Sequence, residues 1–85
     1  MTYELVYTKR AVRDIIRLDE RTKARLKSAL ESFSAEPFKH AEKLVNPELG
    51  TYRFRVGSYR IIFDVDGSFI IILRVGHRRD IYRGI

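Results

Sequence analysis

At 85 residues the chain is expected to fold as one domain, residues 1–85, with an economical core and, having no cysteine, no disulfide staples. Its 45% hydrophobic content excludes a disordered chain, and no apolar run approaches the ~20 residues of a membrane-spanning helix. Lys and Arg number 17 against 11 Asp and Glu, a formal charge of +6, which favours a polyanionic partner: RNA, DNA or an acidic protein. The opening Met1-Thr2-Tyr3-Glu4 has no signal-peptide character, so a cytoplasmic location without membrane contact is expected.

Tyr3 to Tyr7 alternates and is rich in strand formers, which predicts a strand. Thr8 then serves as an N-cap. Ala11, Val12, Ile15, Ile16 and, less regularly, Leu18 recur at helical spacing and define the apolar face of a short helix. Lys9, Arg10, Arg13 and Arg17 occupy the other face, which suits solvent and an RNA or ribosome contact equally well. Asp19 caps a second helix carrying Leu26, Ala29, Leu30 and Phe33, and Pro37 ends it, so the two helices form a hairpin. Pro37 to Gly50, which includes Pro47, reads as a connecting loop anchored by Leu44.

Beyond Gly50 the period drops to two. Tyr52, Phe54 and Val56 fall on one face of a strand and Arg53 and Arg55 on the other. Gly57-Ser58 makes a two-residue hairpin turn that sets Val56 opposite Tyr59, Arg55 opposite Arg60 and Arg53 opposite Ile62. Three arginines then share a face. Like charges opposite one another cost roughly 0.2–1 kcal/mol, which an anion between them would offset. Asp66-Gly67 signals a second turn, and the continuous run Phe69 to Leu73 predicts a strand covered on both faces. A two-residue turn there sets Arg74 opposite Tyr59, away from Arg55 and Arg60 and outside the site. Gly76 breaks the strand, and His77-Arg78-Arg79-Asp80-Ile81-Tyr82 follows as a short terminal segment. The expected fold is α+β: an N-terminal strand, a two-helix hairpin, and a mainly antiparallel sheet of three to four strands.

His40 and His77 lie in separate segments with no carboxylate at ligand spacing beside either, so neither a metal nor a cofactor is expected. No phosphate-binding loop, dinucleotide fingerprint or nucleophile elbow is present. Asp64 and Asp66 flank a turn, where a capping or solvated role suits them. Arginine, tyrosine and histidine remain. They suit metal-independent phosphoryl transfer on RNA, in which guanidinium groups hold the charge of a phosphorane and the substrate's 2′-hydroxyl is the nucleophile. Tyr82 fits such a site, and equally a cover over the end of the core.

The segments Lys43-Leu44, Tyr52-Arg53-Phe54-Arg55-Val56-Gly57-Ser58-Tyr59-Arg60 and Val75-Gly76-His77-Arg78-Arg79-Asp80-Ile81-Tyr82, in this order after the helix hairpin, closely resemble the RelE branch of the RelE/ParE toxin superfamily. The resemblance spans essentially the whole chain. It implies the RelE-like α+β fold and a toxin of a type II toxin–antitoxin pair that cuts mRNA in the ribosomal A site. Its cognate partner would be an acidic, RelB-like antitoxin, with operator DNA bound only through the antitoxin complex. The family's basic sheet residues fall on Arg53, Arg55 and Arg60, its post-strand basic residue on Arg78 and its C-terminal tyrosine on Tyr82. Arg60 and Arg78 would bind the scissile phosphate, and Tyr82 would stack on a base or assist proton transfer. Arg79, Lys9, Arg10 and Arg13 would extend the RNA-binding surface. The resemblance also admits a ParE-like poison of DNA gyrase, or an inactive binder of RNA or antitoxin. Arg53 and Arg55 stand where the best-known member has lysines, and arginine is too basic to give up its proton. Proton abstraction would then fall to His77, as an imidazole the side chain type suited to proton exchange, or to Tyr82, or depend on the ribosome positioning the mRNA.

Overall fold

The computed structural model describes residues 2–45 and 48–83. Strand β1 (Glu4–Tyr7) runs through Thr8 into helix α1 (Lys9–Ile16), and Asp19 opens helix α2 (Glu20–Phe33). A 3₁₀ turn (Pro37–Lys39) and a two-residue strand β2 (Glu42–Lys43) precede β3 (Tyr52–Val56), β4 (Tyr59–Asp66) and β5 (Phe69–His77). The five strands form one sheet in the order β1-β5-β4-β3-β2. β2 to β5 pair antiparallel, and β1 joins β5 in parallel.

Both predicted caps are made. Thr8 Oγ1 accepts from the Ala11 N–H at 3.1 Å and donates to the Ile72 carbonyl at 2.9 Å, so one hydroxyl starts α1 and ties it to β5. The Thr22 N–H donates to Asp19 Oδ1 at 2.8 Å, and the Thr22 side chain, then this backbone hydrogen bond, holds the Asp19 carboxyl below its ordinary pKa.

The helices cover one face of the sheet. Ala11, Leu26 and Leu30 pack on Phe54, Val56, Ile61, Phe63, Ile70, Ile72 and Val75, with Phe54 and Phe63 stacked at 4.1 Å between centroids. The apolar face of α1 is only partly used: Val12 and Ile16 are 43% and 66% exposed. Only the helix-facing residues of the Phe69 to Leu73 run are fully buried. Ile70 and Ile72 are fully covered but Phe69 is 43% exposed, because nothing described lies over the second face at that end, so the expectation of double coverage fails.

Two further expectations are corrected. The stretch Pro37 to Gly50 is not simply a loop: Pro37 is buried at the head of a 3₁₀ turn, and Glu42 and Lys43 add an edge strand to β3. Leu44 is half-buried and its N–H donates to Thr51 O at 2.9 Å; Pro47 lies outside the described residues. The second hairpin turns on Gly67-Ser68 rather than Asp66-Gly67. Gly67 supplies φ +60° at the first central position, and Asp66 pairs with Phe69. A bulge follows, with Phe63 opposite Ile72 but Ile62 opposite Arg74, leaving Leu73 as the extra residue. Arg74 is therefore opposite Ile62, not Tyr59.

The second face of the sheet is closed at one end by the C-terminal turn. The Ile81 N–H donates to His77 O at 3.0 Å, and Ile81 is 2% exposed. Its side chain packs over Gly76, 3.6 Å from where a Cβ there would stand, an ordinary van der Waals distance. This fold-back brings the turn that carries Ile81 and Tyr82 over the arginine-bearing face.

Candidate active site

Arg53 and Arg55 alternate with Phe54 and Val56, which are buried, and the half-buried Tyr52, so the pleat that packs those three on the core turns both guanidinium groups to the face opposite the helices. The edge strand β2 places Glu42 directly opposite Arg53. Glu42 Oε1 accepts from Arg55 Nε at 2.7 Å and Arg53 Nε at 3.3 Å. Among the described contacts Oε2 has no partner. Arg53 Nη1 donates to the Tyr82 hydroxyl at 2.8 Å, and its Cζ lies 5.9 Å from the Tyr82 ring centroid. That hydrogen bond, opposed by desolvation and aided by the charge of Glu42, raises the Arg53 pKa above its ordinary value, so Arg53 is a fixed cation.

Arg60 stands opposite Arg55, as the turn spacing predicts, but its guanidinium curls back to the turn. Nη1 donates to Gly57 O at 3.0 Å and Tyr59 O at 2.9 Å. Arg60 is 8% exposed, and no described carboxylate forms an ion pair with it. A guanidinium this buried, held by carbonyl dipoles alone, keeps its full charge and several free donors. The two opposed arginines avoid each other by taking different partners: Arg55 turns to Glu42 and Arg60 to the backbone.

The remaining predicted residues divide. Arg78 is exposed, and its N–H donates to Ser58 O at 2.7 Å, which fixes it beside the β3–β4 turn. Arg79 is exposed in the same C-terminal turn. His77 pairs with Tyr59, itself opposite Val56, and therefore sits on the helix-facing side of the sheet, edge-on to the Tyr59 ring at 5.5 Å. Its Nδ1 accepts from the Arg79 N–H at 3.1 Å, which leaves the ring proton on Nε2. Lys9, Arg10 and Arg13 are exposed on α1, across the sheet from Tyr82. Arg74 Nε donates to Asp14 Oδ2 at 2.8 Å, so that guanidinium is committed to α1. Glu42 is the site residue that sequence reading passes over. Its signal is faint, because a two-residue strand has no periodicity to detect. Among the described residues, no three His, Asp or Glu side chains are grouped as metal ligands.

Residues 5–82 match the family described as the ParE toxin of the type II toxin–antitoxin system parDE. The chain belongs to this toxin family. Within the RelE/ParE superfamily it falls in the RelE branch. It is 36% identical over 86 residues to the toxin RelG of Mycobacterium tuberculosis, covering 98% of this chain and 99% of RelG. It is 34% identical to the toxin RelE3 of Methanocaldococcus jannaschii, covering 93% and 94% of the two chains. Its fold superposes on the crystal structure of the RelBE2 toxin–antitoxin complex from Mycobacterium tuberculosis with a TM-score of 0.79 at 30% identity, over 92% of this chain and 100% of that one. This toxin therefore has the RelE fold, and its arginine face lies on the sheet of that fold.

Proposed function

We propose that this toxin is an endoribonuclease that cuts mRNA in the ribosomal A site by attack of a 2′-hydroxyl on the adjacent phosphate. The observation that carries this reading is the convergence of Arg53, Arg55, Tyr82 and one carboxylate on a single sheet face, beside the buried, carboxylate-free Arg60. Arg53, Arg55, Arg60 and Arg78 bind the scissile phosphate and neutralise the charge that builds on it. Glu42 Oε2 takes the 2′-hydroxyl proton, and the Tyr82 hydroxyl, whose oxygen is already engaged by Arg53, gives its proton to the departing 5′-oxygen. The products are a 2′,3′-cyclic phosphate and a free 5′-hydroxyl. His77 suits the proton-accepting role less well, since its Nδ1 lone pair is occupied and its ring faces the helices.

The toxin acts in the cytoplasm on translating ribosomes. An acidic antitoxin holds it inactive by covering the arginine face or displacing the turn that carries Tyr82, and the pair meets operator DNA through the antitoxin. Solved relatives in complex with antitoxins support this partner. So does an apolar cavity of about 320 Å³ between α1 and α2, which includes the exposed Val12 and Ile16. The family match is to a ParE toxin, and the second reading that the resemblance admits is a ParE-like gyrase poison.

Incubation of the purified toxin with translating ribosomes tests both. Cleavage in the A site that is lost in Arg53→Ala and Arg78→Ala supports the nuclease. Inhibition of supercoiling without cleavage supports the gyrase poison and overturns the nuclease.

A further inference from the structure

The β3–β4 turn brings Arg25, which the scissile-phosphate cluster does not use, beside Arg60 and Arg78, which it does. Arg25, exposed on α2, lays its guanidinium over Gly57 so closely that a Cβ there would stand 2.7 Å from Nη2, 3.0 Å from Nη1 and 3.1 Å from Cζ. Gly57 is thus required twice, for its φ of +60° and for this approach. Arg60 reaches the same residue from its carbonyl, with Nη1 on Gly57 O at 3.0 Å. Arg78 starts from the next residue, its N–H on Ser58 O at 2.7 Å. Three arginines from α2, β4 and the C-terminal turn therefore meet at two residues, and none has a carboxylate partner among the described ion pairs.

The Arg25 and Arg60 guanidinium groups both lie at Gly57, with the Arg78 backbone beside them, and like charges this close are unfavourable by themselves and favourable around an anion. The Arg25 guanidinium makes no described hydrogen bond, and a planar fork of five donors suits a phosphate oxygen pair. The turn is also continuous with the reacting cluster. Four residues along β3 separate Gly57 from Arg53, a span of about 13 Å at ~3.3 Å per residue, with Arg55 and Arg60 bridging the interval.

We infer that the Gly57-Ser58 turn is a second phosphate seat, in which Arg25 grips an RNA backbone phosphate flanking the scissile one. The inference rests on the RNA reading of the neighbouring site. Arg25 holds the substrate and takes no part in the chemistry.

Binding of a single-stranded RNA oligonucleotide to the full chain, measured from ~50 to ~200 mM salt, tests it. Each phosphate contact contributes ~0.7 to the slope of log affinity against log salt on a single strand. Arg25→Gln is expected to lower the slope by about 0.7, so that the advantage of the wild type shrinks about 2.6-fold across that range. Arg25→Lys should restore the slope, because it keeps the charge. Arg25→Gln with wild-type slope and affinity overturns the seat, and if Arg53→Gln lowers both in parallel the RNA reading survives alone. If the wild type does not bind the oligonucleotide at the lowest salt, seat and RNA reading fall together. An Arg25→Gln protein that binds RNA normally and loses affinity only for an antitoxin makes the turn a protein contact and also overturns the proposal.

Discussion

Replacing Glu42 by Gln separates proton transfer from everything else the site does. Glu42 is 42% exposed, and its partners Arg53 and Arg55 are 25% and 55% exposed. Ion pairs this open to water contribute at most ~1 kcal/mol each, and the Gln carbonyl oxygen still accepts from one guanidinium. The stability loss should stay near ~1 kcal/mol, a fall of about 4–8 °C in Tm for a domain of this size. RNA affinity should not weaken, because a negative charge leaves the phosphate-binding face. Cleavage is where the change should appear: loss of a positioned general base costs about 10²–10⁴ in rate, or about 2.7–5.4 kcal/mol of barrier. Single-turnover A-site cleavage at saturating toxin measures this directly, and thermal denaturation of the same sample supplies the control. A rate within about tenfold of wild type would refute the role of Glu42 and return the proton to Tyr82 or His77. His77→Ala removes the Nδ1 hydrogen bond to the Arg79 N–H but no described contact of Arg53 or Tyr82, and should leave the rate within about tenfold of wild type.

The scaffold makes its own predictions. Gly50→Ala should cost about 1–3 kcal/mol by overpacking, because its Cβ would stand 2.6 Å from Cγ2 of the fully buried Ile62 and 3.0 Å from Leu73 Cδ1; a urea midpoint equal to wild type would contradict the packing described. Thr8→Ala loses both the α1 cap and the tie to β5 and should cost about 1–2 kcal/mol, while Thr8→Ser should recover most of it in the same titration. Asp19 has a folded pKa held below its unfolded value by the Thr22 hydrogen bonds, so its contribution is fully present above pH ~4 and is lost as pH falls through the folded value. Asp19→Asn keeps a capping oxygen without the titration, so its Tm should fall less than that of wild type between pH 6 and pH 3; equal falls would mean that the carboxylate contributes nothing.

What the sequence reveals here depends on whether a feature is local. Thr8 and Asp19 are recognisable as caps because a cap needs only one side chain and the N–H three residues on. The Arg55–Arg60 pairing is legible because a two-residue turn fixes its register without help from elsewhere. The second hairpin departs from the simple count because Gly67, not Asp66, takes the first central position and Leu73 is inserted beyond it. The bulge lies where Ile62 and Leu73 pack around Gly50, a contact between distant segments that no local pattern records. The same distinction decides the site. The arginines announce themselves by alternation, but the carboxylate that joins them comes from Glu42 on a strand of two residues whose only reason to form is the edge of β3. Glu42 therefore becomes a site residue through tertiary pairing alone. Its Oε1 is the oxygen that joins Arg53 to Arg55, and the question of which group starts the reaction turns on a residue that the local pattern assigns to a loop.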